Sequence, residues 1–209
     1  MNSQNLKSLK NNYLKKGTIM VPFGEKNNPL SIKDFEKLKA CCTKVKKEFI
    51  KIGDAGESNH LLVGRFMTDK KKPEIVKNDY SKKVIQILKK KKLYNFIKQI
   101  LKTKKTLYLR RIQFNQIKKN CFVGYHLDVD SNPDYIAACV IQLGSNFTGG
   151  IYRVFQKNKK KFIDYPPTEG SLIVSNCQYP HEVTTVKSGK RGSLVFFVSF
   201  NKGLNKRNI

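Results

Sequence analysis

Residues 135–143 read Tyr135-Ile136-Ala137-Ala138-Cys139-Val140-Ile141-Gln142-Leu143, apolar almost throughout. A short run of this kind, bounded by turn residues, reads as a central strand covered on both faces. Before it, residues 107–115 alternate well enough for a strand, and 122–129 read as another. After it, Gly149-Gly150 opens a strand over 151–155, and a lysine-rich hairpin tip at 157–161 leads back into 162–165. Pro166-Pro167 and Glu169-Gly170 punctuate a turn before a strand at 171–174. A strand at 182–186, a Ser188-Gly189 turn and a last strand over 192–200 close the pattern. Seven or eight short strands separated by turn residues predict an antiparallel sandwich or barrel of jelly-roll type.

The first half reads differently. Ser31 with Asp34 resembles a capping box, and Ile32, Phe35, Leu38, Cys42, Val45 and Phe49 follow at helical spacing, which predicts a helix over about 31–51. A loop follows at 53–60 and a short strand at 61–67. A second apolar stripe, Ile85, Leu88, Leu93, Phe96, Ile97, Ile100 and Leu101, predicts one helix over about 79–102 with its lysines on the solvated face. Residues 1–28 read as a frayed start with one strand near Thr18 to Val21. The expected class is therefore α+β with a mainly β core. A helical support region (1–105), a β core (106–200) and a tail (201–209) form a single domain.

The formal net charge is +27, which points to nucleic acid or another anionic partner. Only six of the 42 basic residues are Arg, the residue that grips phosphate and guanine bidentately. A lysine-heavy, asparagine-rich chain also arises from A+T-rich coding, and the two origins weigh about equally. Five cysteines, an odd number with no C-x-x-C pair, fit a reducing compartment. With no apolar run of signal or membrane-spanning length, the expected location is cytoplasmic and no membrane partner is expected.

Chemistry concentrates at Gly124-Tyr125-His126-Leu127-Asp128 and at Tyr179-Pro180-His181. In an extended segment, His126 and Asp128 share a face, with Leu127 turned to the core. Alone, H-x-D is more often a surface His beside an acid than a ligand pair. His181 supplies a second imidazole, and two imidazoles with one carboxylate form the facial triad of non-haem Fe(II) sites. Ten residues past His181 comes Arg191, with Ser193 on the same face. An Arg facing inward beside a metal suits bidentate binding of a carboxylate. The remaining histidine, His60, reads as a loop residue.

Together these elements resemble the Fe(II)- and 2-oxoglutarate-dependent dioxygenases, on the branch of prolyl 4-hydroxylases and oxygen-sensing prolyl hydroxylases. The resemblance covers about residues 106–200. It rests on Tyr125 to Asp128; Val140 to Leu143 with Phe147, Gly149 and Gly150; Glu169 to Val174; and Pro180 to Val183 with Gly189, Arg191, Ser193 and Leu194. It implies a double-stranded β-helix and Fe(II) held by His126, Asp128 and His181. It also implies 2-oxoglutarate bound by Arg191 with Ser193 and Gln142, O2 as oxidant, and ascorbate as reductant. Gln142 stands where relatives often carry a cosubstrate-contacting Tyr, and Ile151 where many carry an acid. The implied reaction hydroxylates a C–H bond and releases succinate and CO2.

Arg111, Gln113, Asn115 and Tyr125 flank the motif and are the candidate substrate contacts. A protein or peptide substrate is the expected partner, with prolyl hydroxylation favoured. A nucleic-acid oxygenase of the same chemistry is the alternative; repair-type demethylases carry a second Arg six residues past the first, and Phe197 stands there. A basic, non-catalytic binding protein on the same fold is a third reading.

Overall fold

The computed structural model describes residues 3–156 and 161–207. Among these residues there are four α-helices and thirteen strands. In chain order they are α1 (Ser3–Lys16), β1 (Thr18–Val21), α2 (Ile32–Lys44), β2 (Glu48–Ile52), β3 (Ser58–Asp69), β4 (Pro73–Ile75), α3 (Ser81–Leu88) and α4 (Lys91–Ile100). Then come β5 (Tyr108–Lys118), β6 (Val123–His126), β7 (Ala137–Leu143), β8 (Phe147–Gly149), β9 (Tyr152–Phe155), β10 (Phe162–Tyr165), β11 (Leu172–Asn176), β12 (His181–Val183) and β13 (Val186–Ser199).

The strands follow the order β1-β11-β7-β13-β5-β3-β6-β12-β9-β10, with β2 and β4 on β3 and β8 on β13. All pairings are antiparallel. The sheet folds on itself, and the Tyr165 hydroxyl of its last strand donates to the Thr18 carbonyl of its first, 2.9 Å away. Strand alternation then sorts side chains into two cores. Ile112, Phe114, Cys139, Ile141, Leu194 and Phe196 point outward, under the helices' Phe35, Leu38, Val84, Leu93 and Phe96. Val140, Tyr152, Val154, Ile173 and Val183 point into the barrel. The run 137–143 is buried at every position, as its unbroken apolar reading predicts.

Several expectations are corrected. The helix predicted over 31–51 stops at Lys44, where Val45 turns extended at φ −61°, ψ 139°. Val45 and Phe49 keep helical spacing, but Glu48 to Ile52 pair with β3, and the long-range ladder outweighs the local period. The helix expected over 79–102 is two, broken where Lys90 takes ψ 135°. There the Lys90 ammonium meets Asp34 Oδ1 at 2.7 Å, while the rest of the lysine run is exposed. Residues 3–16 are helical rather than frayed. The strand expected at 61–67 runs from Ser58 to Asp69, so His60 lies on a strand, with its ring near Phe49 and Phe122. Ser188-Gly189 is no turn but part of β13; Gly189 sits at φ +71°, and a Cβ there would meet the Asn146 carbonyl oxygen at 2.1 Å. The first half is no purely helical support, since β1 and β3 are walls of the barrel. Residues 157–160 of the expected hairpin tip lie outside the described residues, but the flanking β9–β10 hairpin is formed. All five cysteines are free thiols, and no helix of the described residues is long and apolar enough to cross a membrane.

One polar network ties the barrel together. Arg110 donates from Nε and Nη2 to the two Asp69 carboxylate oxygens, at 3.0 and 2.9 Å, and both side chains are completely buried. Asn132 Nδ2 donates to the same carboxylate at 2.8 Å. Arg110 Nη1 reaches the Asn201 carbonyl, and Asn205 Nδ2 bonds the carbonyls of Asp69 and Ser131. Asp69→Ala strands a buried guanidinium, so we expect a loss of about 3–5 kcal/mol in denaturant unfolding. Lys90→Ala removes the exposed partner of a buried Asp34 and should cost about 1 kcal/mol.

Candidate metal centre and its cavity

Two histidines meet because β6 and β12 are neighbours, with His126 directly opposite His181 in register. Their ring centroids are 4.3 Å apart. The strand predicted over 122–129 ends at His126, but Leu127 remains extended at φ −112°, ψ 130°, so Asp128 returns to the same side. Leu127 itself is half-buried rather than a core residue. Asp128 then starts a 3-10 turn, Asp128–Asp130, secured by Ser131 N–H donating to its carbonyl at 3.0 Å. Its Oδ1 lies 3.5 Å from His126 Nε2 and its Oδ2 3.6 Å from His181 Nε2. One donor atom from each residue falls within 4.8 Å of the others.

Both rings are held from behind. His126 Nδ1 is 2.8 Å from the Gly124 carbonyl, and His181 Nδ1 is 3.2 Å from the Tyr179 carbonyl. A proton on each Nδ1 satisfies these carbonyls and leaves each Nε2 lone pair aimed at the shared centre. Asp128 Oδ2 is buried without a hydrogen-bond partner from the protein. Two neutral imidazoles and a carboxylate on one side, with the opposite side open to a cavity, fit a ferrous ion with free coordination positions.

The electrostatics are those of ligands crowded together. Burial pushes both imidazoles toward the neutral form. At His126 the Asp128 carboxylate outweighs burial and lifts the pKa to about 9. At His181 burial wins and, helped by His126, lowers it to about 4. Asp128 is pulled below its ordinary range, against burial, by His181, His126 and Arg111.

The triad opens on a cavity of about 230 Å³. Alternation supplies its walls: Arg191, Ser193, Val195 and Phe197 from β13, and Arg111, Gln113 and Asn115 from β5. Arg191 is buried, donates from Nη1 to Ser193 Oγ at 3.1 Å, and leaves Nε unpartnered. Among the described residues no carboxylate pairs with it. Burial lowers its pKa to about 10, so it stays cationic at neutral pH. Gly150, at φ +63°, lets the chain pass; a Cβ there would stand 2.7 Å from Arg191 Cδ.

Of the sequence candidates, His126, Asp128, His181, Arg191, Ser193, Arg111, Gln113 and Asn115 line one cavity. Two do not. Gln142 turns its amide to the Gly192 carbonyl, 2.9 Å away, which braces β7 against β13. Tyr125 is 46 % exposed on the outer side of β6, its ring against Phe155. Sequence reading missed Tyr152, whose ring is 5.2 Å from His181 and whose buried hydroxyl has no aligned protein partner. Its pKa is driven up by burial and then by the Asp128 charge. Its place two residues past the paired glycines, on a strand whose alternate residues face inward, was the available signal. Asp54, which faces Arg111, carried no local signal.

The model of the 2OG-Fe(II) oxygenase superfamily matches residues 112–199. No curated protein matches the sequence. A solved 2OG-Fe(II) oxygenase family oxidoreductase from Burkholderia pseudomallei is 31 % identical, with a TM-score of 0.90 over 99 % of this chain and 96 % of that one. A Pseudomonas putida prolyl-4-hydroxylase shares the fold at 17 % identity and TM-score 0.64, over 93 % of this chain and 98 % of that one. The α-ketoglutarate-dependent epimerase SnoN of nogalamycin biosynthesis does so at 9 % identity and TM-score 0.73, over 95 % and 82 %.

Protons and metal compete for His126. Because its pKa in the metal-free site is raised to about 9, metal affinity should fall as pH drops below that value, by about tenfold per unit. Calorimetric titration with Co(II) in buffers of different ionisation enthalpy should show close to one proton released per ion at neutral pH. Separately, His126→Ala and His181→Ala should each abolish stoichiometric metal binding, whereas Asp130→Ala, at an exposed position outside the triad, should retain it.

Proposed function

The chain belongs to the 2OG-Fe(II) oxygenase superfamily, and on that premise we propose that it hydroxylates a C–H bond of a protein side chain in the manner of the prolyl hydroxylases. It is a 2-oxoglutarate-dependent dioxygenase. In this reading His126, Asp128 and His181 hold Fe(II), which when bound supplies the chemistry by which 2-oxoglutarate and O2 become succinate and CO2 and the substrate gains a hydroxyl. The carbonyls of Gly124 and Tyr179 keep the two imidazoles in the ligating tautomer. Ascorbate is the reductant that this reading expects.

The observation that carries the reading is Arg191. A buried cation with an unpartnered Nε, in the same cavity as a His-Asp-His cluster, is a costly arrangement unless an anion completes it. The distal carboxylate of 2-oxoglutarate is that anion, with Ser193 Oγ holding the guanidinium in place and the Tyr152 hydroxyl free to donate nearby. Val140, Val195 and Leu61 line the same space and exclude water from the charged groups.

A nucleic-acid substrate is the second reading, favoured by the net charge of +27. Phe197 weighs against it. It occupies the place where repair-type relatives carry a second Arg, and its ring stacks on Tyr135 at 4.6 Å, buried.

Iron-loaded protein should convert 2-oxoglutarate to succinate, and Arg191→Ala should raise the 2-oxoglutarate requirement by about tenfold or more, since one partner of a desolvated pair is lost. Mass spectrometry should find one added oxygen atom on peptides and none on oligonucleotides. The reverse outcome would move the assignment to the nucleic-acid branch.

A further inference from the structure

Strand β5 carries two adjacent arginines that do different things. Arg110 is locked: both its partner Asp69 and itself are fully buried, and two hydrogen bonds join them. Arg111 faces the other way, into the cavity. Its guanidinium lies beside the stacked Tyr135–Phe197 pair, 5.5 Å from the Tyr135 centroid and 5.0 Å from that of Phe197. Its Nε makes only a long contact to the Tyr135 hydroxyl, 3.4 Å. Cation–π contact with these rings holds the guanidinium in place without using its donors.

The carboxylate opposite Arg111 is Asp54, at 2.8 Å. The two partners are unequal: the Arg111 side chain is 9 % exposed and that of Asp54 40 %. Asp54 does not belong to the barrel wall. It sits on the tight turn joining β2 to β3, closed by Gly53 N–H on the Glu57 carbonyl and by Gly56 at φ +83°. The tip projects past the ladder that joins β3 to β6 at Asn59, and Arg207 of the tail donates to the Asp54 carbonyl from outside. A buried cation is thus neutralised by a group on the cavity's rim. Next along β5, Gln113 Nε2 donates to Asn115 at 2.9 Å, which leaves a buried Gln113 Oε1 with no donor from the protein. Arg111 lines the same cavity as His126, Asp128 and His181, so whatever it binds there lies near the metal centre.

We propose that Arg111 is the specificity-determining residue for the primary substrate, binding a substrate carboxylate that displaces Asp54 from the guanidinium. The inference rests on the oxygenase reading above and narrows its substrate class. The substrate is an acidic peptide segment, with an aspartate or glutamate adjoining the residue that is oxidised. Gln113 Oε1 accepts an N–H from the same segment. Arg191 serves the cosubstrate and Arg111 the substrate, two receptors for two carboxylates in one cavity. Asp54 keeps Arg111 paired while no substrate is bound, which avoids the cost of an uncompensated buried charge. The net charge of +27 favours approach of an acidic chain.

The test uses the full chain loaded with Zn(II) and 2-oxoglutarate, so that binding is seen without turnover. Binding of 2-oxoglutarate is measured first by calorimetry; its absence would overturn the oxygenase reading and this inference with it. The probes are N-acetyl-Glu-Pro-amide, its Gln counterpart, and N-acetyl-Gln-Pro with a free terminal carboxylate. The Arg111 Nε–Hε resonance reports occupancy. The Glu peptide should bind at least tenfold more tightly than the Gln peptide and shift that resonance. Asp54→Asn should tighten the Glu peptide several-fold, and Arg111→Gln should erase the difference between Glu and Gln. Tighter binding of the free-terminus probe than of the Glu peptide would overturn the side-chain assignment in favour of a chain-terminal carboxylate. Equal binding of acid and amide, or no binding of either to wild type and to Asp54→Asn, while 2-oxoglutarate still binds, would overturn the inference alone.

Discussion

A buried ion pair between Arg110 and Asp69 holds the catalytic half of this molecule to the rest. Asp69 ends β3, Arg110 lies near the start of β5, and Asn132 joins the same carboxylate from the loop that follows Asp128. Asn201 and Asn205 of the tail close the network on its outer side. Two charges removed from water are tolerable only when every lone pair and proton is used, and here almost all are. The consequence is positional. The carboxylate of the metal cluster sits at the start of a short turn, not in a strand, and such a turn is only as rigid as what anchors its far end.

The cavity shows the opposite pattern. Asp128 Oδ2, Gln113 Oε1, Arg191 Nε and the Tyr152 hydroxyl are buried without aligned protein partners, and all belong to cavity-lining residues. Unmet polar atoms gathered in one cavity mark where a ligand can bind. Each unmet atom also names a chemistry: a donor pair for an anion, a carboxylate for a cation, an amide oxygen for an N–H. Strand alternation places Gln113 and Arg191, since residues 111, 113 and 115 of β5 and 191, 193, 195 and 197 of β13 face inward while 112, 114, 194 and 196 pack under the helices.

Local pattern and tertiary pairing disagreed in instructive places. Val45 and Phe49 continue the helical period of α2, yet the chain leaves the helix at Lys44, because β2 gains a partner in β3 that no window of sequence can see. The lysines at 89–92 sat inside a convincing apolar stripe, but the stripe belongs to two helices meeting at Lys90. Gln142 stood at a position implied by family resemblance to touch cosubstrate; its amide is instead used by the Gly192 carbonyl of the adjacent strand.

The sequence by itself determined the β core and the buried central strand at 137–143, because alternation and apolar runs are properties of a chain segment and survive whatever surrounds it. It singled out His126, Asp128, His181 and Arg191 through family resemblance, and the pairing of β6 with β12 brings the two histidines together. It could not determine that β3, from the first half, forms a wall of the barrel, or that Tyr152 and Asp54 share the cavity with Arg191 and Arg111. Those are consequences of which strands pair and which side chains then compete for the same buried space. Pairing partners separated by tens of residues are chosen by the free energy of the whole sheet, which no local pattern records.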